Sequence, residues 1–247
     1  MSKVGVGIDF GTSNSAAAIF DGEALRLVPL EDDDDIIPSA TYIDRALTAK
    51  TGQQAVSQYI ADNTGRTVEL IPEVVGETSQ FVENGGGEEI SEVETATQKV
   101  YGAAVTDSGM QGRLFRGTKR LLGDESVRRL MVFEQPFRLV ALITPLLLRI
   151  RQAVEQQIGP ISGAHLGYPV NFEGRDQFAN DLALNRLGEA FNYAGVKTRE
   201  FYPEPIAAAV SYLHANPAAL GETLLTLDFG GGTLDFCVLR RQGQDFE

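Results

Sequence analysis

The 247-residue chain has a single cysteine, Cys237, so no intramolecular disulfide can form, and a reducing compartment fits. Its apolar, strand-like setting reads as a small buried hydrophobe rather than a reactive thiol. Basic charge is scarce: 21 Lys and Arg against 34 Asp and Glu leave a formal net charge of −13. That removes the basic face on which nucleic-acid binding depends, so no nucleic-acid partner is expected. Long apolar runs are also missing. The longest, 139–148, is about half of the ~20 residues a membrane helix requires, and Met1-Ser2-Lys3 leads straight into a strand pattern without signal-peptide architecture. A cytoplasmic protein with no membrane contact is expected. No Gly-x-x-x-x-Gly-Lys-[Ser/Thr] occurs, and no Gly-x-Gly-x-x-Gly follows a strand, which excludes a P-loop and disfavours a Rossmann dinucleotide site. The two histidines, His165 and His214, stand without partner spacing and read as structural or surface residues.

What the chain does have is one pattern written twice. Ile8-Asp9-Phe10-Gly11-Thr12-Ser13-Asn14-Ser15 and Leu227-Asp228-Phe229-Gly230-Gly231-Gly232-Thr233-Leu234-Asp235 each read as an apolar strand carrying Asp near its end, a glycine-rich turn with hydroxyls, and a return strand. Glycine lets several backbone N–H groups converge on a phosphate, and Thr12, Ser13 and Thr233 add hydroxyl donors. Asp9 and Asp228 would repel phosphate directly, but they make sense with a hydrated Mg²⁺ between. A single Asp-x-Gly-Thr is weak, because Asp and Gly are ordinary turn residues. Two after matching strands, over two hundred residues apart, imply two loops facing one nucleotide. An acid ending an apolar strand is also costly unless paired.

At 43% hydrophobic residues the chain can bury a real core. In the first strand Val4, Val6, Ile8 and Phe10 form an apolar side, opposite Gly5, Gly7 and Asp9; 15–20 reads as its return strand. Leu225, Leu227 and Phe229 oppose Thr226 and Asp228, with 234–239 returning. The acids of 31–35 read as a solvated loop. A short helix is expected at 51–61, a strand at 67–75, and a Glu-Asn-Gly-Gly-Gly-Glu-Glu loop at 83–89. Pro145–158 reads as a helix with Leu146, Ile150, Ala153, Val154 and Ile158 on one face; alternatively it starts near Phe137 and Pro145 kinks it. A strand at 165–172 is followed by a helix at 175–194 with Phe178, Leu182, Leu187 and Phe191 inward, and by a helix at 205–213 with Glu204 as N-cap. The order implies an α/β lobe with a mixed sheet flanked by helices.

The quoted motifs carry a resemblance. Gly7–Ser15 is similar to the first phosphate motif of the actin-type ATPases, closest to the 70-kDa heat-shock (DnaK-like) chaperones. Phe115-Arg116-Gly117-Thr118-Lys119-Arg120-Leu121-Leu122-Gly123 resembles that family's catalytic-lysine segment. Tyr168-Pro169-Val170 resembles its Val-Pro-Ala strand, Glu204-Pro205-Ile206-Ala207-Ala208-Ala209 its connecting motif, and Asp228–Asp235 its second phosphate motif. The matches come in family order. The stretch 64–111 departs, which suggests a divergent, YegD-like branch.

The resemblance implies an actin-like (ribonuclease-H-like) ATPase lobe with an inserted subdomain: core at 1–40 and 137–222, insertion at 41–136, and the first hairpin of a second, largely missing lobe at 223–247. It implies ATP/ADP and Mg as cofactors, with Asp9 and Asp228 holding the hydrated metal. Gly11, Thr12, Ser13, Asn14, Gly230, Gly231, Gly232 and Thr233 would contact phosphates. Lys119 would stabilise charge during phosphoryl transfer, and Glu204 and Asp235 would orient the attacking water or the metal's water shell. Without the resemblance, Lys119-Arg120 is a basic helix pair, Glu204 a dipole-favoured acid and Asp235 an outward strand residue. Unfolded peptide or co-chaperone would engage regions absent here. Weak MgATP binding and slow turnover are expected, and the apolar 223–247 hairpin is expected either to pack irregularly on the first lobe or to mediate self-association. A filament-forming MreB-type actin and a small-molecule kinase are the alternatives.

Overall fold

The apolar side of the first strand requires a covering layer, and helices supply it. The computed structural model describes residues 4–32, 34–68, 70–82, 94–107, 109–172, 177–216, 223–232, 234–242 and 245–246, with backbone alone for 71–82, 94–106, 241–242 and 245–246. They fall into two compact units, residues 1–61 with 112–247, and 62–111; the segment 41–136 is shared between them.

The chain opens with β1 (Gly5–Phe10) and β2 (Asn14–Phe20), then β3 (Leu25–Leu27) and β4 (Ile36–Pro38). β5 (Ala40–Asp44), β6 (Ala49–Thr51) and α1 (Gly52–Asn63) follow. The second unit holds β7 (Leu70–Val82) and β8 (Glu94–Asp107). The first unit resumes with β9 (Gly112–Arg116), a 3-10 turn at Thr118–Leu121, β10 (Arg129–Val132), β11 (Gln135–Arg138) and α2 (Leu139–Ile158). β12 (Gly163–Tyr168), α3 (Gln177–Tyr193), β13 (Thr198–Pro203), α4 (Glu204–Ala215), β14 (Thr223–Phe229), β15 (Leu234–Gln242) and β16 (Asp245–Phe246) complete it.

The main sheet has the order β13-β12-β1-β2-β3, with β4 also on β2. β1 runs antiparallel to β2 and parallel to β12, and β12 parallel to β13, so the sheet is mixed. Val6, Ile8 and Phe10 are buried against α2 and α3 in one core with Ile19, Leu166, Leu147, Ile150, Leu187 and Phe191. Val4, expected with them, is 47% exposed, because it precedes the strand. On the opposite face, Gly5 pairs with Phe20, and the Phe20 ring meets His214 of α4 edge-on at 5.6 Å. Helices therefore flank both faces.

α2 begins at Leu139 and carries Pro145 inside it, which decides for the longer helix. Pro145 has no N–H to offer the Ala141 carbonyl, a cost of about 3 kcal/mol. Leu139, Val140, Leu142 and Ile143 are all buried, and each buried side chain contributes about 1.5–3 kcal/mol, so the extra turn wins. Thr144 Oγ1 donates to the Val140 carbonyl at 2.8 Å. In α3, Phe178 is 62% exposed rather than inward. The buried row is Ala179, Ala183, Leu187, Ala190 and Phe191, at four- and three-residue steps, and Phe178 lies one residue out of phase. Residues 173–176, the expected start, lie outside the described residues.

β6, β5 and β9 form a small sheet. Tyr42 is buried there, and its ring takes the space a Cβ on Gly112 would need. Of the acidic loop, Glu31 is pinned rather than solvated: it pairs with Arg149 at 2.6 Å and accepts the Gln53 N–H at 2.8 Å. In the second unit, β7 and β8 pair antiparallel with irregularities between Pro72 and Gly76, and Arg66 pairs with Asp107. The strand starts three residues later than expected and runs on to Val82. The loop expected at 83–89 lies outside the described residues.

Candidate functional site

β1 delivers Asp9 one residue before its end, and the chain turns back at once. A Cβ on Gly11 would sit 2.2 Å from the Asn14 carbonyl oxygen, so only glycine fits that turn. The turn is anchored from outside: Ser39 N–H donates to the Ser13 carbonyl at 2.9 Å, and the Ser15 and Ser39 hydroxyls are 2.8 Å apart.

Lys119 arrives on the 3-10 turn after β9. Gly117 enters that turn at φ 66°, a left-handed conformation that favours glycine, and lies close to Thr12. Lys119 is 5% exposed and donates to Glu204 Oε1 at 2.5 Å. Glu204 is the first residue of α4, with Pro203 as N-cap; it was expected one position earlier, as the cap itself. Its side chain turns to the lysine instead of the helix end.

In the second hairpin Asp228 stands directly opposite Asp235, a cross-strand like-charge pair that destabilises a bare sheet. Asp235 is 7% exposed, and its Oδ2 has no hydrogen-bond partner among the described residues. It is thus an inward residue of this strand pair, not an outward one. The glycines of this hairpin meet the first: a Cβ on Gly231 would lie 2.1 Å from Ser13 Oγ, and one on Gly232 3.0 Å from Thr12 Oγ1. Gly230 is exposed in the turn, and Thr233 lies outside the described residues. Asn14 is exposed and lines an open cavity with Pro38, Lys50, Thr51, Gln53 and Arg149. None of Asp9, Lys119, Glu204 or Asp228 is in those walls.

The charged groups perturb one another. Burial pushes the Asp9 carboxyl above the usual range, Lys119 pulls it back, and Asp228 raises it further. Asp9 is nevertheless exposed: protein crowds around its carboxyl without covering it. Glu204 is likewise raised, first by burial, against the charge and hydrogen bond of Lys119, with Asp9 and Asp228 adding to the rise. Four charged residues from four separate elements therefore share one neighbourhood. Gly167, which the sequence did not single out, makes room for it: a Cβ there would lie 3.2 Å from Glu204 Cγ and 3.7 Å from Asp9 Oδ1. Arg120 was also missed as a neighbour; its stem lies against Gly232. The only available signal was that both sit within or beside quoted motifs.

The family model described as "Hsp70 protein" matches residues 5–247. The chain belongs to the Hsp70 family. Two curated Hsp70-family relatives align along almost its whole length. One is the "Chaperone protein HscA homolog" of Polynucleobacter asymbioticus, 27% identical over 99% of this chain and 33% of its own. The other is "Heat shock 70 kDa protein BIP3" of Oryza sativa subsp. japonica, 26% identical over 98% of this chain and 32% of its own. The chain thus spans about a third of the length of these relatives. Its mixed sheet with helices on both faces is the architecture expected of the Hsp70 actin-like ATPase fold. The actin-filament and small-molecule-kinase alternatives gain no support from these matches. Among the described residues no helix is long and apolar enough to cross a membrane.

Proposed function

We propose that this chain is the phosphate-gripping part of an ATP-binding domain in a cytoplasmic DnaK-like chaperone, in which Mg-dependent ATP hydrolysis switches affinity for unfolded peptide. One observation carries the reading: two glycine hairpins over two hundred residues apart meet at Gly231 and Ser13, with Asp9, Lys119, Glu204 and Asp228 in mutual electrostatic range beside them.

The residues suit a magnesium–phosphate group. Among the described residues Asp235 Oδ2 is buried without a hydrogen-bond partner, and Asp228 faces it across the strands, so a cation would relieve both. Mg²⁺ bound through carboxylates usually keeps several of its own waters. Asp9 and Asp228 would hold those waters, and Asp235 would orient them. Gly11, Thr12, Ser13, Gly230, Gly231, Gly232 and Thr233 would bind phosphate oxygens, and Asn14 would support the turn from outside. Bound magnesium supplies charge neutralisation for phosphoryl transfer. Lys119, fixed by Glu204, places a positive charge where negative charge develops, and Glu204 accepts a hydrogen bond from the attacking water.

Peptide and co-chaperone contacts are proposed for the part of the relatives' length that this chain does not span. The resemblance places base and ribose contacts in a second lobe, so this chain alone is proposed to bind MgATP weakly and turn it over slowly. Calorimetric titration with MgATP, alongside Asp9→Asn and Asp228→Asn, tests the reading. Weak, magnesium-dependent binding lost in both variants is expected. Binding indifferent to magnesium and to both substitutions overturns it.

A further inference from the structure

We propose that Arg186 of α3 is a positioning residue for Lys119, acting through the backbone of the turn that carries it. The inference rests on the reading of Lys119 as the charge-stabilising group.

A four-residue 3-10 turn supports itself poorly, because its hydrogen bonds are bent and its last carbonyls lack helical partners. Here the carbonyls that follow Lys119 converge on one nitrogen. Arg186 Nη1 donates to the Leu122 and Asp124 carbonyls, each at 2.9 Å, and approaches that of Leu121 at 3.4 Å. The grip extends along the helix. Seven residues earlier, on the same face, the Ala179 carbonyl lies so near Gly123 that a Cβ there would be 2.9 Å away. Between these points Leu122 is wholly buried in the main core. Leu122 N–H donates back to the Lys119 carbonyl at 3.2 Å, so fixing Leu122 fixes the lysine's own peptide. Lys119 Nζ then meets Glu204 Oε1 on α4. The lysine is held by α3 through its backbone and by α4 through its ammonium. A guanidinium suits the first task, since its planar donors serve several carbonyls at once, whereas an apolar side chain would fill the space and leave them unpaired.

The test uses the intact chain with Arg186→Met, Arg186→Lys and, as reference, Lys119→Met. Lysine acylation by an N-hydroxysuccinimide ester, read by peptide mass spectrometry, reports the lysine directly. In the native chain buried Lys119 should react slowly and exposed Lys197 fast. Arg186→Met should raise Lys119 labelling about tenfold, as the loss of a charge-assisted hydrogen-bond clamp implies, with Lys197 unchanged. The single-turnover rate of MgATP hydrolysis should fall about 10- to 100-fold with the half-saturating MgATP concentration nearly unchanged, as misplacing a reacting group does, and Arg186→Lys should recover part of both readouts. Lys119 that stays protected in Arg186→Met overturns the proposal. So does an unmasked Lys119 with turnover intact. If Arg186→Met does not fold, Arg186→Lys carries the same two readouts. Undiminished turnover in Lys119→Met would instead defeat the role given to the lysine, while the labelling still reports on the clamp.

Discussion

At the scale of single residues, the site is held in tension by its own acids. Asp9 and Glu204 both have carboxyls raised above their ordinary range, chiefly by burial. A carboxyl raised by folding lends stability below its unfolded pKa and loses that contribution as pH rises through the folded value. Without a cation, then, these two groups favour the fold in acid and burden it at neutral pH. Asp9→Asn should raise the melting temperature of the metal-free chain at about pH 7.5 and leave it nearly unchanged near pH 4, while abolishing any stabilisation by magnesium; differential scanning calorimetry at the two pH values decides it. Lys119→Met removes the countercharge from a largely buried acid and should destabilise by about 3 kcal/mol at neutral pH, less in acid where Glu204 takes up a proton. Urea titration measures this, and a loss independent of pH would count against the ion pair.

At the scale of elements, local preference and tertiary demand disagree in instructive places. Pro145 is a helix breaker, yet α2 passes through it because four buried side chains lie ahead of it. Pro145→Ala restores the N–H and should stabilise by about 1–3 kcal/mol, read from the urea midpoint. Conversely, Gly112 looks dispensable in sequence. The buried Tyr42 ring lies where its Cβ would go, so Gly112→Ala should cost about 1–3 kcal/mol by overpacking, with lost near-UV dichroism from the tyrosine. Phe178 shows how sharply helical phase sorts side chains: one residue out of step with the buried row, it is turned out of the core.

For the whole molecule, the terminal hairpin raises the largest question. Its cross-strand pairs Leu225–Val238, Leu227–Phe236 and Phe229–Leu234 lie on one face, and all six side chains are more than half exposed, Phe229 at 86%. The other face, bearing Leu224 and Leu239, packs toward α4. An apolar sheet face beside an edge strand invites pairing, and a second copy of the chain is the proposed occupant. Static light scattering should show concentration-dependent association that Phe229→Glu with Phe236→Glu suppresses. A monomer at all concentrations would refute it.

The sequence by itself determined the two hairpins, their terminal aspartates and the glycines between. Those features are local: strand alternation has a period of two, and a tight turn beside a ligand tolerates little but glycine. It also determined the family, because the motifs recur in order along the chain. It did not determine what each charge touches. Lys119 and Glu204 are 85 residues apart, and nothing in either neighbourhood names the other. The same holds for Arg186 and the carbonyls it gathers, since a backbone acceptor leaves no trace in side-chain identity. Only the tertiary structure decided these pairings, because burial and charge act through space, whereas sequence patterns register only what repeats along the chain.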